Sequence, residues 1–185
     1  MVRLGHPPLT RSGLETSGRQ LPAAILVTDH VAKHDTPVGR LTLAASEGGL
    51  TAILWPGEQA TGRACAAHPL LDEARRQLDA YFAGTRRQFD LPLAPRGTPF
   101  QQQVWNALAA IPFAETRSYA AIARAIGRPA AIRAVGAANG RNPISIAVPC
   151  HRVVGTDGSL TGFAGGLAAK RFLLAHEGVI ATSLF

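Results

Sequence analysis

The chain is poor in the residues that would carry it into a membrane or an oxidising compartment. Its 185 residues include only two cysteines, Cys65 and Cys150. They could form one disulfide, but they make no disulfide framework. No apolar run reaches the about 18 residues that a membrane-crossing helix needs, and Met1–Leu21 contains no apolar signal core. These absences predict a reducing, cytoplasmic setting. Cys65 has no second cysteine at a ligand spacing, and His30, His34 and His68 make no ligand set with it, so no metal is expected. Acidic residues are scarce in the second half. Residues 96–185 hold 9 Lys+Arg against 3 Asp+Glu, whereas residues 1–95 hold 10 against 9. Eight of those nine cations are arginine, and nearly all of the net charge of +7 lies there. Arginine-rich basic segments suit phosphate contacts. Genome base bias toward Ala and Arg gives the same composition.

What is present is a folded α+β chain, 46% hydrophobic and 17% charged. Residues 1–22 mix Pro, Gly, Ser, Thr and Arg without period and read as a flexible tail. Residues 23–95 read as an α/β scaffold. Ala23–Val27 is a candidate strand. Leu41–Ala45 and Leu50–Trp55 form a hairpin about Ser46-Glu-Gly-Gly. Pro56–Ala67 reads as a loop, Pro69–Phe82 as an amphipathic helix, and Gln88–Leu93 as a further strand. Nothing here converges on a chemical site.

Residues 96–185 form a second unit. Thr98-Pro-Phe-Gln combines an N-cap, a first-turn proline and a capping-box glutamine, and the helix runs to about Ala110. Ser118–Ile126 and Ala130–Asn139, joined by Gly127-Arg-Pro, follow the helix-turn-helix pattern. The second of these is lined with small residues, among them Ala131, Ala134 and Gly136, which let a backbone approach either another helix or a narrow groove. Arg133 interrupts them, as a surface charge or as a probe for a base stack. Leu167–Glu177 is the last helix, apolar at Leu167, Phe172, Leu173 and Leu174 and ended by Gly178.

The most chemically loaded stretch is Ile146–Val154, Ile-Ala-Val-Pro-Cys-His-Arg-Val-Val. Pro149 fixes φ and removes a donor just before the thiol, which predicts Cys150 at the end of a buried extended run. His151 and Arg152 follow, and cationic donors favour a thiolate. A buried cysteine is as readily a small inert hydrophobe. The stretch alone leaves both readings standing.

Pro149-Cys-His-Arg-Val, Arg133-Ala-Val-Gly, Asn142-Pro143, Ser118-Tyr119, Gly165-Gly166-Leu167 and Leu174-Ala-His-Glu-Gly178 occur together in order. In that order and spacing they resemble the O6-alkylguanine-DNA alkyltransferase family, over about residues 97–178 and more weakly upstream. The resemblance implies a ribonuclease H-like N-terminal domain and a C-terminal domain with a winged helix-turn-helix. It implies direct, irreversible transfer of an alkyl group from O6-alkylguanine in double-stranded DNA to Cys150 after base flipping. O4-alkylthymine stays open as a second substrate. Under it His151 takes the thiol proton through a water, Glu177 orients His151, Asn142 holds the thiol segment, and Tyr119 donates to the leaving guanine. Arg133 replaces the flipped nucleotide. Ala131, Ala134, Gly136, Arg141 and Arg152 join the DNA-binding set, with Tyr119 contributing to it. Val153, Phe163, Ala164 and Gly165 form the substrate pocket. No cofactor and no obligate protein partner are implied, and a monomer is expected.

The sequence departs from the family at Phe163, Ala164 and Ile132, where Tyr, Ser and a smaller residue are common. Three other readings compete. A non-catalytic alkyltransferase-like damage sensor would replace the acceptor cysteine, which is intact here. A plain helix-turn-helix regulator leaves Pro149-Cys-His-Arg unexplained. A thiol hydrolase needs an oxyanion hole and a direct Cys–His contact, and the sequence shows neither.

Overall fold

The computed structural model describes residues 26–65 and 67–181. The expected tail, residues 1–22, lies outside them, as do residues 23–25 of the first candidate strand. Strands β1 (Leu26–Thr36), β2 (Gly39–Ser46), β3 (Gly49–Leu54) and β4 (Ala60–Ala64) form one sheet in the order β3-β2-β1-β4. All neighbours are antiparallel except β1 with β4. The β2–β3 hairpin is where the sequence predicts it, closing at Ser46 opposite Gly49. Two strands are not where it predicts them. β1 runs on to Thr36 although only Ala32 is buried between Thr28 and Thr36. It is a strand because β2 pairs with it from His30 to Thr36. β4, expected as loop, is a mostly exposed edge strand held by β1.

Helix α1 (Pro69–Phe82) buries Leu71, Ala74, Leu78 and Tyr81, at helical spacing, against β1, β2 and β3. The expected strand Gln88–Leu93 is instead an extended segment clamped at two places. The amide of buried Gln77 donates to Asp90 O (2.8 Å) and accepts from Asp90 N (2.8 Å). Leu50 N then donates to Pro92 O (2.8 Å), and Ala94 N to Leu50 O (2.8 Å).

The second half contains α2 (Pro99–Ala109), α3 (Tyr119–Ala125), α4 (Ile132–Gly140) and α5 (Gly166–His176). Thr98 and Gln101 make both bonds of the capping box that starts α2. Leu167 departs from its expected place, being 50% exposed on α5 rather than inward. α3 and α4 form a helix-turn-helix. Its β structure, among the described residues, is a two-residue parallel pair, β5 (Arg117–Ser118) with β6 (Val153–Val154), and no hairpin wing accompanies it.

One hydrophobic core spans both halves, from Leu41, Leu43 and Ile53 through Leu78 and Tyr81 to Leu108, Ile144, Val153 and Leu173. Each such side chain contributes about 1.5–3 kcal/mol by leaving water. The β3 edge forms the seam. Besides the Leu50 bonds, Ile53 N donates to Pro143 O (2.9 Å). A sheet edge that would otherwise offer free donors thereby fixes the segment leading to Cys150.

Gly49 permits this closure. Its φ is +138°, and a Cβ there would lie 2.5 Å from Pro92 O. Gly49→Ala should therefore lower stability by about 1–3 kcal/mol in urea titration. Gly48→Ala, whose Cβ would meet nothing closer than Ala94 at 3.8 Å, should be close to neutral by the same measurement.

Candidate functional site

The segment Asn142–Arg152 is folded by its own polar groups. Asn142 Nδ2 donates to Val148 O (2.8 Å), and Asn142 Oδ1 accepts from Ile144 N (3.1 Å). Ala147 N donates to Ser145 O (2.9 Å) around Ile146, whose φ is +72°. That is the strained form of the three-residue turn. Cys150 N donates to Val148 O (2.8 Å) around Pro149, at φ −82° and ψ 64°, which is the relaxed form. Cys150–Arg152 then make one 3₁₀ turn. The expectation of an extended run ending at the thiol is corrected: Asn142 satisfies the backbone locally, and no strand is needed. Both Asn142 bonds fall on the segment that leads to the thiol.

The turn sends His151 and Arg152 toward Glu177. This carboxylate is 4% exposed and accepts five hydrogen bonds. Oε1 accepts from Tyr81 Oη (2.8 Å), His151 Nε2 (2.8 Å) and Arg152 Nη2 (2.9 Å). Oε2 accepts from Arg152 Nε (2.9 Å) and Ala114 N (3.2 Å). Ala114 aims its N–H from the left-handed region, at φ 63°. Burial opposes the charge of Glu177, but the bonds from His151 and Arg152 overcome it and hold the carboxyl at about 2. A carboxylate can only accept, so the proton of His151 sits on Nε2. Its lone pair sits on Nδ1, which is buried and has no partner among the described residues. Burial lowers the basicity of His151, and the bond to Glu177 restores part of it.

Cys150 is 2% exposed and is a free thiol, as is Cys65. Burial pushes the Cys150 thiol up; hydrogen bonds from Asn142 and Ser145 and the charge of Lys170 pull it part of the way back. Arg152, expected either to help supply that pull or to form a structural ion pair, does the latter with Glu177, and His151 also bonds Glu177 while its Nδ1 stays without a partner among the described residues. Lys170, which sequence reasoning missed, is the buried cation instead. Its Nζ donates to Val153 O (2.6 Å) and Thr161 O (2.8 Å), and burial brings its pKa down to about 8. One signal was available: it is the single lysine in the basic half, and a spacing of seven puts it on the face of α5 that leads to Glu177. Tyr119 caps the arrangement. Its hydroxyl donates to Thr161 O (3.2 Å), its ring faces Lys170 Nζ at 6.0 Å, and burial together with the charge of Cys150 raises its pKa.

Tyr119 also lines an open, largely apolar hollow of about 440 Å³ with Ile132, Arg133, Gly136, Thr161, Phe163 and Ala164. Arg133, Ala134 and Arg141 are exposed, and Ala131 and Gly136 are half-buried, on or beside α4. Three expected contacts are not in this face. Arg152 is buried, and all three of its nitrogens bond inward, Nη1 to Ile111 O (2.6 Å) and the others to Glu177, so it does not face phosphate. Val153 is fully buried in β6 rather than in the wall of the hollow. Gly165 lies against the Trp55 ring, where a Cβ would approach to 2.5 Å.

Comparison with known proteins agrees with this geometry. The DNA binding domain of 6-O-methylguanine DNA methyltransferase matches residues 99–179, and the ribonuclease-like domain of the same family matches residues 30–95. A methylated-DNA–protein-cysteine methyltransferase of Methanosarcina acetivorans is 51% identical over 148 residues, covering 78% of this chain and 95% of that protein. The constitutive enzyme of that name from Bacillus subtilis is 48% identical over 152 residues, covering 77% and 92%. A crystal structure of Mycobacterium tuberculosis OGT in complex with DNA superposes with a TM-score of 0.70 at 46% identity, covering 84% of this chain and 97% of that one.

The Glu177 bonds make acid stability a measurable property of the site. Its carboxyl stands at about 2 when folded, against an ordinary 4.5. Its contribution is therefore full above about pH 4.5 and lost as pH falls toward 2. Thermal melts should show that acid slope. Glu177→Gln should flatten it and, by orphaning buried Arg152, destabilise the protein at pH 7 by about 3–5 kcal/mol.

Proposed function

The chain belongs to the 6-O-methylguanine DNA methyltransferase family, and we propose that it repairs alkylated duplex DNA by taking the alkyl group of O6-alkylguanine onto Cys150. One observation carries this assignment of roles. Tyr119 stands in the wall of the apolar hollow that α4 borders, and the charge of Cys150 reaches it, so a base entering the hollow meets a donor on the side of the nucleophile.

In the proposed reaction the base leaves the stack and enters the hollow, at a cost of a few kcal/mol. The exposed guanidinium of Arg133 fills the gap. α4 offers Ala131, Ala134 and Gly136 to the minor groove, which is only about 6 Å wide. The proton of Cys150 passes through a water to Nδ1 of His151, and Glu177 stabilises the imidazolium that forms. Sulfur attacks the alkyl carbon. The S–C bond forms, the C–O6 bond breaks, and its electron pair passes to guanine, where the Tyr119 hydroxyl supplies a proton or hydrogen bond. Lys170 compensates the charge of the sulfur during attack. The product is a thioether with no route back to thiol, so each molecule reacts once, as a monomer and without a cofactor. A non-catalytic damage sensor has less support, because the thiol is present and its surroundings hold donors and a base.

Incubation with methylated duplex followed by peptide mass spectrometry should show one added methyl on the peptide containing Cys150. Cys150→Ala should keep affinity for the alkylated duplex and transfer nothing; an unmodified Cys150 in the wild type beside retained binding would point to a sensor. Arg133→Ala should slow reaction with duplex at least tenfold more than reaction with free O6-benzylguanine. Equal losses on both substrates would remove the finger role.

A further inference from the structure

Ser145 and Trp55 have no part in the reaction so far. Trp55 follows β3 in the N-terminal sheet, is 2% exposed, and donates its indole N–H to Ser145 Oγ (3.0 Å) across ninety positions of sequence. Ser145 is 1% exposed and stands at the first position of the strained turn about Ile146. Its backbone bridges to Val148, two residues before the thiol. The indole is a donor only, so the oxygen of Ser145 accepts and its own proton must go elsewhere. Among the described residues that proton has no recorded acceptor, and the group that Ser145 influences is the Cys150 thiol. Trp55 cannot swing away. Gly165 lies flat on its ring and Phe163 meets it edge-on at 5.2 Å.

We propose that Trp55 and Ser145 form a two-member donor chain aimed at Cys150 Sγ, in which the indole fixes the serine oxygen and the serine hydroxyl donates to the sulfur as its negative charge develops. Ser145 is then a catalytic residue, because it touches the reacting atom. Trp55 is a positioning residue supplied by the N-terminal half. No covalent bond changes in the chain. The hydrogen bond strengthens when the thiol proton leaves for His151 and weakens when the sulfur becomes a neutral thioether. The direction of polarisation is set by the indole, which prevents Ser145 from turning its proton away. The strained turn has a use on this view: a left-handed Ile146 turns Ser145 back over the sulfur, where a relaxed turn would carry it past. The Asn142 amide also acts on the thiol, and its two other bonds hold the loop.

The inference rests on Cys150 being the acceptor, so the test separates the two. Wild type, Ser145→Ala, Trp55→Phe and the double variant are mixed with free O6-benzylguanine across a pH series, and single-turnover rates are measured. Transfer to wild-type Cys150 checks the acceptor itself. For Ser145→Ala, the acid limb of the rate profile should move up by about one pH unit, with about tenfold slower transfer near neutrality and convergence at high pH. Trp55→Phe keeps the ring on Gly165 and should shift the limb in the same direction by less. The double variant leaves no orphaned indole donor and should match Ser145→Ala. A limb that stays in place in Ser145→Ala, or a uniform loss at all pH values, overturns the donor chain. If wild type takes neither the benzyl group nor a methyl group from methylated duplex, the acceptor role of Cys150 fails instead. The same variants titrated with methyl methanethiosulfonate then still report whether Ser145 lowers the pH at which the thiol reacts.

Discussion

A single buried carboxylate organises this molecule. Glu177 takes five donors from three separate parts of the chain: helix α1 through Tyr81, the loop after α2 through Ala114, and the acceptor turn through His151 and Arg152, all meeting at the end of α5. A buried charge is costly unless it is paired and hydrogen-bonded, and here every lone-pair direction has a donor. The consequence for chemistry is indirect but firm. With its Nε2 proton pinned to Glu177, His151 can present only Nδ1 as a base. With its guanidinium spent on Glu177 and Ile111, Arg152 is part of the frame and not of the DNA face.

The same frame explains why the two halves share one core. The β3 edge bonds to Pro92 and Pro143, Trp55 reaches Ser145, and Tyr81 reaches Glu177. The N-terminal half, with no chemistry of its own, thus supplies one hydrogen bond to the carboxylate behind the base, from α1, and one to the Ser145 hydroxyl, from the end of β3. Tyr81 is seated for this by Phe82, Phe89, Phe113 and His176 around its ring. Removing its hydroxyl would leave that packing in place, so the ring and the hydroxyl have separable jobs.

Much of this was legible in the residues and some of it could not have been. Pro69–Phe82 and the capped start of α2 read correctly because propensity, caps and apolar spacing agree there. β1 did not read as a strand, because it buries so little and depends on β2 for its pairing. Gln88–Leu93 alternates like a strand but spends its backbone on Gln77 and one sheet edge. Cys150, His151, Asn142, Tyr119 and Glu177 stood out through their ordered motifs; the structure bonds His151 to Glu177 and Asn142 to the loop before Cys150. Arg152 misled because adjacency in sequence says nothing of direction; within a 3₁₀ turn it points to Glu177 and Ile111. Tyr81 and Trp55 were invisible, since each meets its partner across 96 and 90 residues, and only the folded core brings them close.

The left-handed Ile146 has a meaning beyond geometry. A β-branched residue there costs on the order of 1–3 kcal/mol, and the loop keeps that shape only while its neighbours insist on it. An enzyme with many turnovers must return to such a shape after every cycle and so must make it robust. A protein consumed by its reaction needs the shape once. Natural selection on this loop is then selection for readiness and not for recovery, and a spring that stays unwound after use carries no penalty.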